Sequence, residues 1–293
     1  MKGPIIPGVS GHPGVLVAEQ PHYLPWVDFY EQVARAGTLV VLDDVQWLRR
    51  GWQRRTRVAL PHGVPTPPPS EPGFQWLSIP LEDPHRDTRI RDLTVDQSQP
   101  WARKHLQAMV TLYGGRPHFR AQVLPLLEPF YDAAARESGP GSLLRVLMSS
   151  MALFHAPLGL EPNLVLSSTL ERRGEDKTQR LVEYCLQTGA HTYYSGTGST
   201  VYLKPERFRA VDVRLLWQRF RHPDYAQGRE GREGRFVTGL SIVDVLANVP
   251  VETVRTWLQP SPWGPFAGDG PQPLQRADAA VGEESAGLSK RTK

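Results

Sequence analysis

Cysteine is nearly missing from this chain: Cys185 stands alone among 293 residues. One thiol excludes a disulfide framework and a cysteine-rich zinc site, and it suits a reducing compartment such as the cytoplasm. Lysine is scarce as well, six residues against 28 arginines, so any anion site is expected to be built from guanidinium groups. Long apolar runs are absent; none approaches the roughly 18 residues of a membrane span. Met1-Lys2-Gly3-Pro4 lacks the basic-then-apolar profile of a secretory signal. Missing too are the Gly-x-Ser-x-Gly elbow, the His-Glu-x-x-His zinc motif and the Gly-Lys-Ser/Thr ending of a P-loop. The net charge of +4 is too small to indicate a nucleic-acid partner unless the cations cluster.

Proline and glycine, by contrast, are abundant. Their 28 and 26 residues make up roughly 18% of the chain against about 12% in an average protein. Helices interrupted this often cannot form a long bundle or coiled coil. With 40% hydrophobic residues, the chain still holds enough apolar side chains for a packed core. Residues 1–14 read as a flexible leader and 259–293 as a disordered Pro/Gly-rich tail. Residues 15–258 are expected to form a single domain, with a polyproline-like surface loop over His62–Gly73.

Apolar Val15–Glu19 predicts a buried strand. A helix over Asp28–Ala36, capped by Asp28 and stopped by Gly37, leads to a second buried strand at Thr38–Leu42. Strand, helix and strand at this spacing predict a βαβ unit. The fold class is therefore α/β: a Rossmann-like, mostly parallel sheet flanked by helices, with a helical portion. Further strands are expected at Phe74–Leu81, Ile90–Val95, Asn163–Leu166, Thr192–Tyr194 and Arg214–Phe220. Helices are expected at Gln99–Tyr113, Gln122–Arg136, Leu143–Leu158, Lys177–Thr188 (stopped by Gly189), Ser241–Ala247 and Val251–Leu258. Cys185 falls on an apolar helical stripe with Leu181 and Val182, which assigns it to the core.

Ligands of parallel sheets bind beyond the carboxyl ends of the strands. In Gln20–Trp26, Pro21 and Pro25 stiffen a strand-end loop that holds Gln20, His22, Tyr23 and Trp26 in place before a ligand arrives. His22 is a candidate general base or phosphate donor. Asp43 and Asp44, followed by Gln46, end the second strand. Adjacent carboxylates can hold Mg²⁺ or orient a nucleophile; alternatively one caps a turn and the other pairs with an arginine. Arg49–Arg57 carries five arginines and no acid. Arg54, Arg55 and Arg57 match phosphate or carboxylate, and Trp52 can stack on a base or sugar. Ser195 and Gly196 open a Gly-x-Gly turn whose N–H groups and hydroxyls suit a phosphate. Ser168 with Lys177, and Tyr225 with Gln227, are further candidates for binding a polar substrate.

Taken in order, these segments resemble the WbqC-like protein family. The matching pieces are Gln20-Pro-His-Tyr-Leu-Pro-Trp26, Val41-Leu-Asp-Asp-Val-Gln46, Trp52-Gln-Arg-Arg55 with Arg57, and Trp76-Leu-Ser-Ile-Pro80. Ser167-Ser168, Tyr194-Ser-Gly196, His222-Pro-Asp-Tyr-Ala-Gln227 and Leu240–Leu246 with Asn248 follow, so the likeness spans residues 15–258. The resemblance implies an accessory enzyme of surface-polysaccharide (O-antigen) synthesis that transfers glycine or another aminoacyl group to an amino sugar. Family members often carry Asn-Arg-Asn after the tryptophan, where this chain has Gln53-Arg54-Arg55-Thr56-Arg57; the Pro-rich tail is also extra.

Residues and resemblance together point to a transferase of an acyl or aminoacyl group to an amine. The arginines would hold phosphate, Gln20, Tyr23 and Gln227 would orient the acceptor, and His22 or Asp43/Asp44 would take the amine proton. The expected partners are a phosphorylated or nucleotide-linked small molecule and an aminoacyl-tRNA, and the cofactor expectation is Mg²⁺ or a nucleotide. An ATP-dependent nucleotidyltransferase or ligase, and a non-catalytic RNA-binding module, are the alternatives.

Overall fold

A computed structural model describes residues 11–60, 73–171, 176–227 and 236–259. Most of the expected leader and polyproline loop, and nearly all of the expected tail, lie outside the described residues. Seven strands form: β1 (His12–Glu19), β2 (Ala36–Val41), β3 (Arg55–Ala59), β4 (Phe74–Ser78), β5 (Asn163–Leu166), β6 (Thr192–Ser195) and β7 (Arg214–Trp217). Five of them make one parallel sheet in the order β5-β2-β1-β6-β7, and β3 and β4 pair as a separate antiparallel hairpin. The chain runs outward from β1 through β2 to β5, then returns to the other side of β1 for β6 and β7. The strand order therefore reverses between β1 and β6, the place where open α/β sheets bind ligands.

Both faces of the sheet are covered, which explains why β1 reads as an unbroken apolar run rather than an alternating one. Val15 and Val17 join the larger core with Leu39, Val41, Phe29, Tyr30 and Val33. Leu16, Ala18 and Val40 turn to the opposite face and pack with Leu181, Val182, Tyr184, Cys185 and Phe208. Cys185 is thus a core residue, as its helical stripe predicts.

The helices are α1 (Val27–Arg35), α2 (Trp101–Tyr113), α3 (Leu124–Ala134), α4 (Ser142–Ala152), α5 (His155–Leu158), α6 (Lys177–Thr188), α7 (Pro205–Arg209), α8 (Ile242–Asn248) and α9 (Val251–Leu258). α6 ends at Gly189, whose φ of +70° is the left-handed cap that glycine supplies without strain. Ser241 caps α8 by accepting from the Val243 N–H. Among the described residues, no helix is long and apolar enough to cross a membrane.

Several boundaries differ from the sequence expectation. Asp28 does not cap α1; Trp26 holds that position, and Asp28 lies in the first turn. Gly37 is not a helix stop but part of β2, where a β-carbon would lie 2.6 Å from the His12 carbonyl oxygen. Ile90–Val95 is no strand: a 3-10 turn at Ile90–Asp92 replaces it, and only Val95 keeps a bridge, to Leu81. The expected Leu143–Leu158 helix divides into α4 and α5, because Pro157 has no N–H to return to Leu153.

Candidate functional site at the carboxyl ends of the parallel strands

The loop after β1 is held from several sides. Leu24 has φ +42°, a backbone region that a branched side chain rarely adopts. Its N–H donates to Ser150 Oγ at 2.6 Å, and its carbonyl accepts from Thr56 Oγ1 at 2.9 Å. Pro25 accepts from the Ile242 N–H at 2.8 Å. Strain of this kind persists only where surrounding contacts over-determine it, and it marks a loop whose shape is fixed in advance.

That loop places His22 beside Glu19, the last residue of β1. Their Nε2 and Oε2 atoms lie 3.7 Å apart, an ion-pair distance rather than a hydrogen bond. His22 is 7% exposed and its buried Nδ1 has no partner. Phe29 and Trp26 pack on the ring at centroid distances of 5.8 and 5.1 Å. Gln20 accepts through Oε1 from Gln53 Nε2.

An aromatic wall continues from His22. Trp26 lies 4.7 Å from Trp52, Trp52 lies 5.0 Å from Trp76, and Phe74 closes the row. The Arg57 guanidinium sits over Trp52 at 4.5 Å and over Phe74 at 4.2 Å, and Arg55 covers Trp76 at 3.9 Å. These stacks come from alternation along β3, which sends Arg55 and Arg57 to the same face. Arg55 also donates to the Gly51 and Arg50 carbonyls, while Arg54 turns the other way and donates to the Ile79 carbonyl.

Beyond β2 and β5 a second polar group forms. Asp43 Oδ1 accepts from Ser167 Oγ at 3.0 Å and from the Ser168 N–H at 2.9 Å. The same Ser167 hydroxyl contacts Asp44, and Arg180 of α6 pairs with Asp44 and with the Tyr184 hydroxyl. Burial alone would raise the Asp44 carboxyl, but Ser167 and Arg180 outweigh it and hold it below its ordinary value. Arg180 thus occupies one carboxylate of the pair that Mg²⁺ would need. Among the described residues, no three His, Cys, Asp or Glu side chains gather as a metal site.

At β6, the Ser195 and Ser199 hydroxyls bond each other at 2.6 Å, and a β-carbon at Gly196 would stand 3.2 Å from Gln32 Nε2 and 3.8 Å from Glu19 Oε1. Behind it lies Glu31 of α1, 1% exposed. Glu31 accepts from Arg35 Nε, from the Tyr194 hydroxyl at 3.0 Å and from Gln218 Nε2 at 2.8 Å. Gln218 Oε1 in turn accepts from Gln32 Nε2 at 3.1 Å.

The fold therefore gathers Gln20, His22, Trp26, Trp52, Arg55 and Arg57 along one wall. Asp43, Asp44, Ser168, Ser195 and Gly196 stand at neighbouring strand ends. The other candidates go elsewhere. Tyr23 is in the core, its hydroxyl bonded to His105 Nδ1 at 2.8 Å and to Tyr131. Gln46 donates to the Arg86 carbonyl on an exposed loop. Lys177 is exposed, with its ammonium 5.3 Å from the Tyr202 ring. Tyr225 donates to Asp244 at 2.7 Å, and Gln227 is tied to Val237 through both ends of its amide. Sequence reasoning passed over Glu19, Glu31, Gln32, Arg180 and Gln218. Glu19 and Gln218 end or follow strands, so the strand-end rule applied to every strand would have found them.

The sequence model of the WbqC-like protein family matches residues 20–256. An uncharacterized protein of Mycobacterium tuberculosis, Rv1507c, is 28% identical over 236 residues, covering 80% of this chain and 93% of that protein. No solved structure matches the chain. With its strand-end motifs assembled on a parallel α/β sheet and most of its length covered by the match, the chain belongs to the WbqC-like protein family.

Proposed function

We propose that this protein is a cytoplasmic transferase that moves an acyl or aminoacyl group onto an amino group. The acceptor would be a nucleotide-linked amino sugar of surface-polysaccharide synthesis. The observation that carries the reading is the Glu19–His22 pair at the point where the strand order reverses, with Gln20 and Gly196 beside it.

An amine arrives as its ammonium ion and cannot attack a carbonyl until it loses a proton. In this reading the Glu19–His22 pair would take that proton. The free amine then adds to the carbonyl carbon of an activated acyl ester. A C–N bond forms, the C–O bond to the leaving group breaks, and the leaving oxygen carries away the electron pair and a proton. An aminoacyl-tRNA supplies such an ester; an acyl phosphate, a mixed anhydride, undergoes the same attack with phosphate as the leaving group. The Trp26–Trp52–Trp76 row with Arg55 and Arg57 supports the phosphate-bearing part of a substrate, because indole faces accept a base or sugar and guanidinium groups attract phosphate.

The test is a reconstituted assay with glycyl-tRNA and a nucleotide-linked amino sugar, following labelled glycine into an amide. His22→Gln is expected to lower kcat by about 10²–10⁴-fold, the usual worth of a general base. Wild-type turnover in both His22→Gln and Glu19→Gln would refute the assignment. Pyrophosphate release from ATP in place of amide formation would move the reading to nucleotidyl transfer.

A further inference from the structure

The loop after β6 exposes apolar side chains by construction. Of the five large hydrophobic side chains exposed among the described residues, only Val201 and Tyr202 are neighbours, at 79% and 44%. Their backbone is tied down. The Ser199 carbonyl accepts from the Tyr202 and Leu203 N–H groups at 3.1 Å each, and the Tyr202 carbonyl accepts from Thr178 Oγ1 at 3.4 Å. Leu203 is buried in the smaller core. Exposed apolar side chains held in place beside a polar site suit the apolar face of a ligand.

The tip of Tyr202 is turned inward. The loop passes Glu19 at Gly196, whose carbonyl accepts from Ser199 Oγ at 2.8 Å. Burial first, and then the Glu19 charge, push the Tyr202 hydroxyl up to about 12, against an opposing pull from Ser199. Part of the side chain is therefore open to solvent while its hydroxyl lies in the field of Glu19. At the other end of the acid–base pair, His22 packs on Trp26. The order is Tyr202, Glu19, His22, Trp26, so the pair stands between two separate aromatic surfaces. A transfer between two substrates needs each of them held in place beside the reacting groups.

Charge identifies the occupant. Lys177, away from the tryptophan wall, holds its ammonium 5.3 Å from the centre of the Tyr202 ring. Lys204 is paired with Asp176 at 2.9 Å, whereas Lys177 has no acidic partner among the described residues. Glu19 likewise has no lysine or arginine partner there; its ion-pair neighbour is His22. A cation and a carboxylate on either side of a partly exposed phenol ring match a ligand with a phosphate, an apolar ring face and an ammonium. An amino sugar phosphate carries all three, and a purely apolar ligand leaves both charges unused.

We infer that Tyr202 and Lys177 form a substrate platform on which an amino sugar phosphate lies, with its ring on Tyr202, its phosphate on Lys177 and its ammonium toward Glu19. This rests on the transferase reading only in making that sugar the acceptor; the tryptophan wall is then left to the acyl donor.

The test is isothermal titration calorimetry on the full chain with glucosamine 6-phosphate, which has no base to stack on the tryptophans, and with glucosamine, which lacks the phosphate. Wild type is expected to bind the phosphate more tightly than glucosamine. Tyr202→Ala should weaken glucosamine 6-phosphate about tenfold with Tm unchanged, and Tyr202→Phe should stay within about twofold of wild type. Lys177→Gln, which leaves the ring in place, should weaken glucosamine 6-phosphate about tenfold and leave glucosamine unchanged. Wild-type affinity in Tyr202→Ala and Lys177→Gln, or no binding of either sugar by wild type, overturns the platform. So does an equal loss in Tyr202→Phe and Tyr202→Ala, which would make the hydroxyl a prop for Glu19 and the ring idle. Amide formation by Tyr202→Ala at the wild-type KM for the amino sugar overturns the platform and leaves the transferase standing. Binding lost in Tyr202→Ala, with no amide formed by wild type, keeps the platform and removes the transferase.

Discussion

Glu31 offers the sharpest physical test of how the strand-end cluster is held. It is a carboxylate at 1% exposure that accepts from Arg35, Tyr194 and Gln218. Burial first, and then the neighbouring Glu31 charge, push the Tyr194 hydroxyl well above its ordinary value, so Tyr194 stays protonated and donates. In Glu31→Gln the shape is preserved, but one acceptor oxygen becomes an NH₂ group facing two of the three donors. Removing one member of a buried ion pair costs about 3–5 kcal/mol. Arg35 retains 16% side-chain exposure and can reach water, which places the expected loss at the low end, about 3 kcal/mol. For a domain of this size that lowers Tm by roughly 6–12 °C. Tyr194→Phe removes a single charge-assisted bond and should cost about 1.5 kcal/mol. The two share one carboxylate, so the double variant should lose about 1 kcal/mol less than the sum. Urea denaturation of all four proteins gives the cycle. Losses below about 0.5 kcal/mol in both single variants, or strict additivity, would refute the account of Glu31 as the common acceptor.

Burial lowers His155 and His105 from 6.5 to about 4. Between those values the unfolded chain binds protons that the folded chain does not. Stability is therefore full above pH 6.5 and falls as pH drops toward 4, by up to about 3 kcal/mol for each histidine. His155→Leu should flatten that slope in melts at pH 5 and pH 7.5; an unaltered slope would contradict the neutral, buried assignment. Burial pushes the Cys185 thiol up to about 12, so it should resist an aromatic disulfide reagent at pH 8 until the protein unfolds. Labelling of the native protein within minutes would count against its place in the core.

The sheet was readable because β1 and β2 are apolar on both faces, and α6 was readable because its stripe ends at a glycine. Short elements whose shape depends on distant partners were harder to read. Ile90–Val95 has strand-like side chains, but the Ile90 and Arg91 N–H groups bond to the Val45 and Asp43 carbonyls, which bend the chain into a turn. The arginine cluster looked free to meet an anion. In the folded chain Arg54 is directed to the Ile79 carbonyl, and Arg55 and Arg57 lie against indole rings that no local pattern places beside them. The proline-stiffened loop was visible, whereas its Glu19 partner was hidden at the end of a hydrophobic strand. Gln218 and Gly196 meet only because β7 and β6 return past β1, which is a matter of topology and not of neighbouring residues.

The pairing of β2 with β5 also bears on synthesis. Thr38 lies opposite Asn163, so about 120 residues intervene before β2 finds its outer neighbour. At about 5–20 residues per second, β2 waits on the order of ten seconds with one edge unpaired while the helical portion leaves the ribosome. Its backbone N–H and C=O groups on that edge are open to any passing strand in that interval. The tie between Asp43 and Ser167 closes only afterwards, so slower synthesis lengthens the exposure of that edge and with it the demand for a chaperone on β2.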